Sequence, residues 1–376
     1  MLLAAAMALL PTARPAPAAV DPVSTTFQVD PAHDGSVTFK EPFAPPLKKR
    51  WSLDLGGPVS YPVVVGNLAI VIVGGGSIGP HLAAIDIDAG KLVWQKSVSV
   101  TLGASYLASD NGRVFLTTLQ GPIQAFKGST GLLLWSDKLL GQAFFDFVPV
   151  VSGDYLFTGG TESGTTLYKL KGANGRVVWQ HLLNGGGKGV TLADSLVVLP
   201  MLCNVPAFDL NSGQQIWYFY SGCSGGDGEV ASYYKRRLYA PQAGGETGLI
   251  LNTVNGKQSG VLPGATPAFY GDTLFAVSGE SIAASNIFTE NLTWFYTPKD
   301  DGFSIPPIVI NRHVYSLSNK GVLHVNAALD GRSEQTITLG LGSQSSFIGA
   351  PWTGLGVGSG VLLVPSGTGL FAFGPK

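Results

Sequence analysis

The chain predicts an all-β fold, an eight-bladed β-propeller of four-stranded antiparallel blades, and three observations carry that expectation. First, a unit of apolar strand, Asp/Gly turn and Trp-bearing strand recurs. It is clearest as Leu82-Ala-Ala-Ile-Asp-Ile-Asp-Ala-Gly-Lys-Leu-Val-Trp94 and returns as Ile123 to Trp135, Leu167 to Trp179 and Val205 to Trp217, with more degenerate copies at Gly248 to Gly260, Ile282 to Trp294 and Leu323 to Gln335. Second, the turn positions Gly90, Gly131, Gly175, Gly213, Gly256, Glu290 and Gly331 lie 41, 44, 38, 43, 34 and 41 residues apart. A four-stranded propeller blade takes roughly 40–45 residues. Third, 51 Gly and 24 Pro among 376 residues suit many tight turns, while 45% hydrophobic residues exclude a disordered chain.

Each element of the unit has a physical reason. Asp86, Asp209, Asn252, Asn286 and Asn326 precede the turn, where a short polar side chain bonds the backbone ahead of it. Gly90, Gly131, Gly175, Gly213 and Gly256 allow the positive φ of a tight hairpin. The Trp four residues later (Trp94, Trp135, Trp179, Trp217 and Trp294) sits mid-strand, placed to be packed by the neighbouring unit. Each repeat then reads strand A, tight turn, strand B, loop, strand C, Asp/Gly turn, strand D, from the hub outward. Tight AB turns are expected at Gly66-Asn67, Asp110 to Arg113, Gly153-Asp154, Asp194, Gly271-Asp272 and Asn311 to His313. Near-continuous apolar runs such as Leu68 to Val73 fit strands covered on both faces.

Closure follows from counting outer strands. Trp51, Trp94, Trp135, Trp179, Trp217, Gly260, Trp294 and Gln335 mark eight D strands. After Gln335 the chain supplies strands A, B and C only, within residues 351–373, so the Trp51 strand is expected to complete blade eight. The alternative is seven blades with one repeat outside the ring.

Three regions are expected: residues 1–18 a signal peptide, 19–46 an N-terminal extension and 47–376 the propeller. Leu2 to Leu10 is an apolar run and Ala16-Pro17-Ala18 fits a small-residue cleavage site, although Arg14 follows the apolar run instead of preceding it. A secreted or periplasmic location follows. No Cys follows the expected cleavage site, which excludes a lipid anchor there, and no other stretch has the ~18 apolar residues of a membrane span. A net charge of −1 with 12% charged residues excludes a basic stripe for nucleic acid. Within Phe27 to Gly35, His33 is read as packing the extension against the propeller in preference to a catalytic role.

With strand A innermost, the BC and DA connections share one face, the usual ligand side. The candidates there are Tyr61, Tyr106, Asp146, Lys188, Asp227, Glu229, Phe303 and Phe347 from DA connections, with Phe145, Asp300 and Asp301 beside them. BC loops add His81, Gln120, Glu162, Glu246, Glu280 and Lys320. The aromatic residues either form a ring for stacking a planar ligand or a peptide, or pack the hub; both readings stay open. No Ser/His/Asp order, zinc spacing or phosphate loop appears, so no catalytic residue and no metal site are assigned. Asp227-Gly-Glu229 and Asp300-Asp301 read as solvated carboxylates before cation ligands. Cys203 and Cys223, on the same face, are expected to form a disulfide worth about 3 kcal/mol in the chain-entropy account.

The repeated Ala/Leu-x-Asp-x-x-x-Gly-x-x-x-Trp unit resembles the PQQ-type (pyrrolo-quinoline quinone) propeller repeat across nearly all of residues 47–376. That family includes quinoprotein dehydrogenases and the non-enzymatic BamB-like propellers of outer-membrane assembly. The resemblance implies a monomeric binding or scaffold module for a protein or envelope polymer, without a cofactor. Its alternative is a reduced quinoprotein oxidoreductase using PQQ and calcium, the calcium held by Glu, Asn and Asp around the hub. Many such dehydrogenases carry two adjacent cysteines near the cofactor, and this chain has no Cys-Cys pair.

Overall fold

The computed structural model describes residues 23–98, 105–110, 112–145, 147–162, 164–201, 203–222, 228–242, 248–340 and 352–376. It shows eight four-stranded antiparallel blades. Blade one runs through Val63–Val65, Leu68–Val73, His81–Asp86 and Lys91–Ser97 as strands A to D. Blades two to seven repeat that order along the chain. Blade eight takes strands A to C from Gly356–Gly358, Val361–Ser366 and Gly369–Pro375, and strand D from Leu47–Asp54. Leu47 faces Pro375 and Asp54 faces Gly369 in an antiparallel register. The ring is therefore closed by the N-terminal strand, and the seven-blade alternative falls.

Burial follows strand position. Strand B of blade one, Leu-Ala-Ile-Val-Ile-Val, is covered by a blade on either side, whereas its strand D is largely exposed. In every blade the C–D pairing slips by one residue just before the Trp position, a bulge at Arg50, Val93, Leu134, Val178, Ile216, Ser259, Thr293 and Glu334. Such a bulge bends the strand and re-aims the next side chain. Here it turns each Trp onto the next blade's Asp/Gly turn.

The Trp rings lie on the glycines of the following blade: Trp51 on Gly90, Trp94 on Gly131, Trp135 on Gly175, Trp179 on Gly213, Trp217 on Gly256 and Trp294 on Gly331. A Cβ at Gly90 would stand 2.4 Å from Trp51 Cγ, so the turn needs glycine for close approach as well as for its φ of 64°. Five indoles also donate Nε1–H across the blade boundary, from Trp51 to Ile87 O, Trp94 to Gly128 O, Trp135 to Gly172 O, Trp217 to Thr253 O and Trp294 to Ala328 O, at 2.5–3.1 Å. Trp179 is the exception. Its equivalent acceptor, Leu210 O, is taken by Lys169 Nζ at 2.8 Å, and Trp179 Nε1 is buried without a partner.

The two degenerate repeats are compensated in pairs. Gly260 replaces the Trp of blade five, and Glu290 replaces the turn glycine of blade six. The Glu290 carboxylate fills the vacated place, accepting from Val261 N–H at 3.3 Å. Gln335 replaces the Trp of blade seven and faces blade eight, which has no C–D turn. Its amide holds both backbone groups of Leu47, at 2.6 and 3.2 Å.

Residues 23–46 do not lie on a face; they thread the hub. Ser24 pairs with Val357 of blade eight, and its carbonyl accepts from Val64 N–H of blade one at 2.7 Å. Ser109 N–H of blade two donates to Thr25 O, and Thr26 Oγ1 donates to Pro149 O ahead of blade three. Leu192 N–H of blade four reaches Pro31 O, and Tyr233 N–H of blade five reaches Ala32 O, both at 2.8 Å. Ser36 Oγ donates to Phe269 O of blade six, and Ser36–Val37 adds a parallel strand to Ile308–Ile310 of blade seven. One short segment thus touches all eight blades in order before Phe39 and Phe43 lead it out to Leu47. His33 is its buried pivot, with Nδ1 2.7 Å from Phe27 O and Nε2 2.9 Å from Val190 O.

Candidate functional site

The BC/DA face is built where strand A begins and strand B ends. Tyr61, Tyr106 and Phe303 sit at or before the start of strand A in blades one, two and seven, and all three are buried. Tyr61 and Tyr106 pack with the hub rings, whereas Phe303 packs between blades six and seven against Tyr296 and His324. Tyr61 OH donates to Leu107 O at 2.7 Å and accepts from Leu107 N–H at 2.8 Å, tying blade one to blade two. Burial pushes its phenol pKa well above the usual range. Phe27, carried by the threaded segment, packs against it in the hub. Its ring stacks on Trp352 at 5.0 Å and 9° and meets Tyr61 edge-on at 5.6 Å, while Tyr106 meets Trp352 edge-on at 5.3 Å. Sequence reasoning did not single out Trp352. Its signal was its place just ahead of strand A of blade eight, as Tyr61 stands just ahead of strand A of blade one.

The remaining candidates are dispersed. Lys188 is half-buried ahead of strand A of blade four, and its carbonyl accepts from Val148 N–H at 2.8 Å. Glu229 is half-buried ahead of blade five. Asp146, Asp227 and Phe347 lie outside the described residues, as does Cys223. Cys203 is buried in the BC connection of blade four.

Polar side chains gather on this face between blades six and seven, in a cleft of about 490 Å³ lined by Glu280, Asp300, Asp301, Asn319 and Lys320. Asp301 Oδ1 accepts from Gly302 and Lys320 N–H, and the Lys320 ammonium donates to the Asp300 carbonyl. The Asp301 carboxylate therefore holds the loop's own backbone, and the Asp300 carbonyl holds a neighbouring cation. Among the described residues no three His, Cys, Asp or Glu side chains converge on a metal-sized site. The BC/DA face thus combines an aromatic-filled hub with a polar rim.

Eight blades, Trp-on-Gly contacts between them and a Trp-marked outer strand define a PQQ-type propeller. The chain belongs to the family described as outer membrane protein assembly factor BamB, which matches residues 45–190 and 140–336. Among solved structures it is similar to BamB from Moraxella catarrhalis, at 17% identity over 87% of this chain and 99% of that one, with a TM-score of 0.66. It is also similar to the quinohemoprotein alcohol dehydrogenase of Comamonas testosteroni, at 13% identity over 94% and 81% of the two chains and a TM-score of 0.74. The computationally designed Ika8 protein matches at 14% identity, 88% and 100% coverage and a TM-score of 0.69. At these identities the likeness shows the fold alone. No curated protein sequence matches the chain.

Proposed function

We propose that the chain is a non-catalytic propeller of the cell envelope, exported by its N-terminal signal, acting as a monomer that holds a protein or an envelope polymer on its BC/DA face. The observation that carries this reading is the hub. In the quinoprotein alternative, the hub must offer a planar slot and oxygen ligands for calcium. Here Phe27, Trp352, Tyr61 and Tyr106 fill that position with interlocked rings, and the acidic groups of the hub segment, Asp30 and Asp34, accept from its own backbone N–H groups of Ala32 and Ser36. These residues do not fit a quinone–calcium pair. No helix among the described residues is long and apolar enough to cross a membrane.

The test is a titration of the purified chain with PQQ and Ca²⁺, read by absorbance and by dye-linked oxidation of alcohols and sugars. The expected result is neither stoichiometric binding nor turnover. Micromolar binding with turnover would overturn the reading.

Within this reading, Cys203 and Cys223 form a disulfide that fixes the loop after blade four. Ser221 N–H donates to Cys203 O at 2.9 Å, which draws the chain two residues before Cys223 alongside Cys203. Intact mass should therefore rise by two alkyl groups only after reduction. Cys203→Ser should cost about 3 kcal/mol in urea unfolding; labelling without reduction would refute the bridge.

A further inference from the structure

The opposite face, made of AB and CD turns, holds a larger cleft that the BC/DA reading does not use. It has a volume of about 930 Å³ and forms where residues 38–44 leave the hub and pass over blade seven. That size lies in the range of roughly 300–1,000 Å³ typical of small-molecule sites.

We propose that this cleft binds an aromatic acid, a small molecule with one anionic group on a flat apolar body. The charges decide the sign. Glu334, the bulged residue of the outer strand, accepts from His313 Nδ1 at 2.5 Å and lies 3.4 Å from Arg332 Nη2, so its carboxylate is engaged on both sides. Asp330 accepts from the Arg332 backbone N–H at 3.1 Å and caps the CD turn. Arg312 makes no ion pair among the described residues, and the Arg332 side chain is 70% exposed. The Arg312 guanidinium therefore remains open to an anion, with the exposed Arg332, paired to Glu334 on one side, beside it, a donor set suited to carboxylate or phosphate oxygens.

The apolar half of the site is equally specific. Tyr270 and Leu329 line the cleft at 46% and 91% exposure, and Phe43 underlies it. A bare inorganic anion would leave that surface wet, whereas an aromatic ring would cover it at roughly 25 cal/mol per Å². The Glu334 carboxylate keeps the His313 proton on Nδ1, which holds the imidazole in place as part of the wall.

The test uses the full chain titrated calorimetrically with phenyl phosphate and, separately, with benzoate and inorganic phosphate. Saturable one-to-one binding of the two aryl anions is expected, with inorganic phosphate about tenfold or more weaker. Arg312→Ala combined with Arg332→Ala should weaken the aryl anions by at least about tenfold. Lys320→Ala, which removes one positive charge from the other face, should leave affinity unchanged. Failure of both aryl anions to saturate would overturn the proposal. So would equal affinity for inorganic phosphate, or an equal loss in Lys320→Ala. None of these outcomes bears on the PQQ titration.

Discussion

Replacing Trp217 by alanine is expected to cost about 3–5 kcal/mol, the range for truncating a buried aromatic side chain. Trp217 is the most buried of the repeat tryptophans, at 8% exposure. Its ring covers Gly256, where a Cβ would stand 2.7 Å from Cε3, and its Nε1–H is the donor to Thr253 O at 2.7 Å. Removing it opens a void between blades four and five and leaves that carbonyl without its donor. The two contributions can be separated by phenylalanine. Trp217→Phe keeps most of the apolar contact and loses the hydrogen bond, worth about 1 kcal/mol. Trp179→Phe should lose less, because Lys169 already holds the equivalent carbonyl and Trp179 Nε1 has no partner to lose. Urea midpoints of the three variants measure this directly. A loss below about 1 kcal/mol in Trp217→Ala would mean that the Trp–Gly contact does not hold neighbouring blades together.

The same contacts explain what was legible beforehand. A Trp, a turn glycine and an Asp or Asn recur because each blade must solve one local problem, namely how to seat a large ring on the next blade's hairpin. A periodic problem leaves a periodic trace, so blade number and ring closure could be read from residues 51, 94, 135, 179, 217 and 294. Where the solution changes chemistry, the trace fades without the contact being lost, as with Gly260 and Glu290. The AB turn of blade five escaped notice because Lys235 and Arg236 both take positive φ, 47° and 61°, without glycine or asparagine to announce it. The hub was the least legible part. Much of the threaded segment's binding runs through its own carbonyls to N–H groups of the inner strands, which any residue can supply, with Ser24, Thr26, His33 and Ser36 adding side-chain bonds. Tyr61 lies two residues ahead of strand A of blade one and Tyr106 within strand A of blade two. Their neighbours in the hub, Phe27 and Trp352, come from distant parts of the chain, which no local pattern connects to them.

Because a single segment ties all eight blades, disrupting its pivot should be felt around the ring. A neutral His33 donates to one of Phe27 O and Val190 O, so His33→Ala leaves that carbonyl buried without its donor and opens a void. At about 1–3 kcal/mol for the unsatisfied group, with the void adding to it, a loss of roughly 2–4 kcal/mol is expected. Hydrogen exchange gives a more local reading: the amides of Leu192, Tyr233 and Val309, which donate to this segment, should lose protection before those of strands B and C. A uniform loss of protection would indicate global destabilisation without a hub-specific role. The pH profile gives a second, independent signature. Burial, with the neighbouring Asp30 charge adding to it, pushes the Asp34 carboxyl up to about 7, and burial raises Asp30 as well. A raised carboxyl contributes stability that is complete below its unfolded value and is lost as pH rises through its folded value. His33 acts in the opposite sense. Burial lowers its pKa against the pull of its two carbonyl partners, so its contribution is lost only as pH falls below the ordinary imidazole range. Above a pH of about 6.5 the carboxyl effect therefore stands alone, and the native chain should weaken between about pH 6.5 and 8. Asp34→Asn keeps an oxygen for the Ser36 N–H, which Asp34 Oδ1 accepts at 2.7 Å, and removes that group's titration. With only Asp30 left to titrate, its stability should fall less over the same interval, and a native chain that falls no more than the variant would show that Asp34 does not titrate as a buried group.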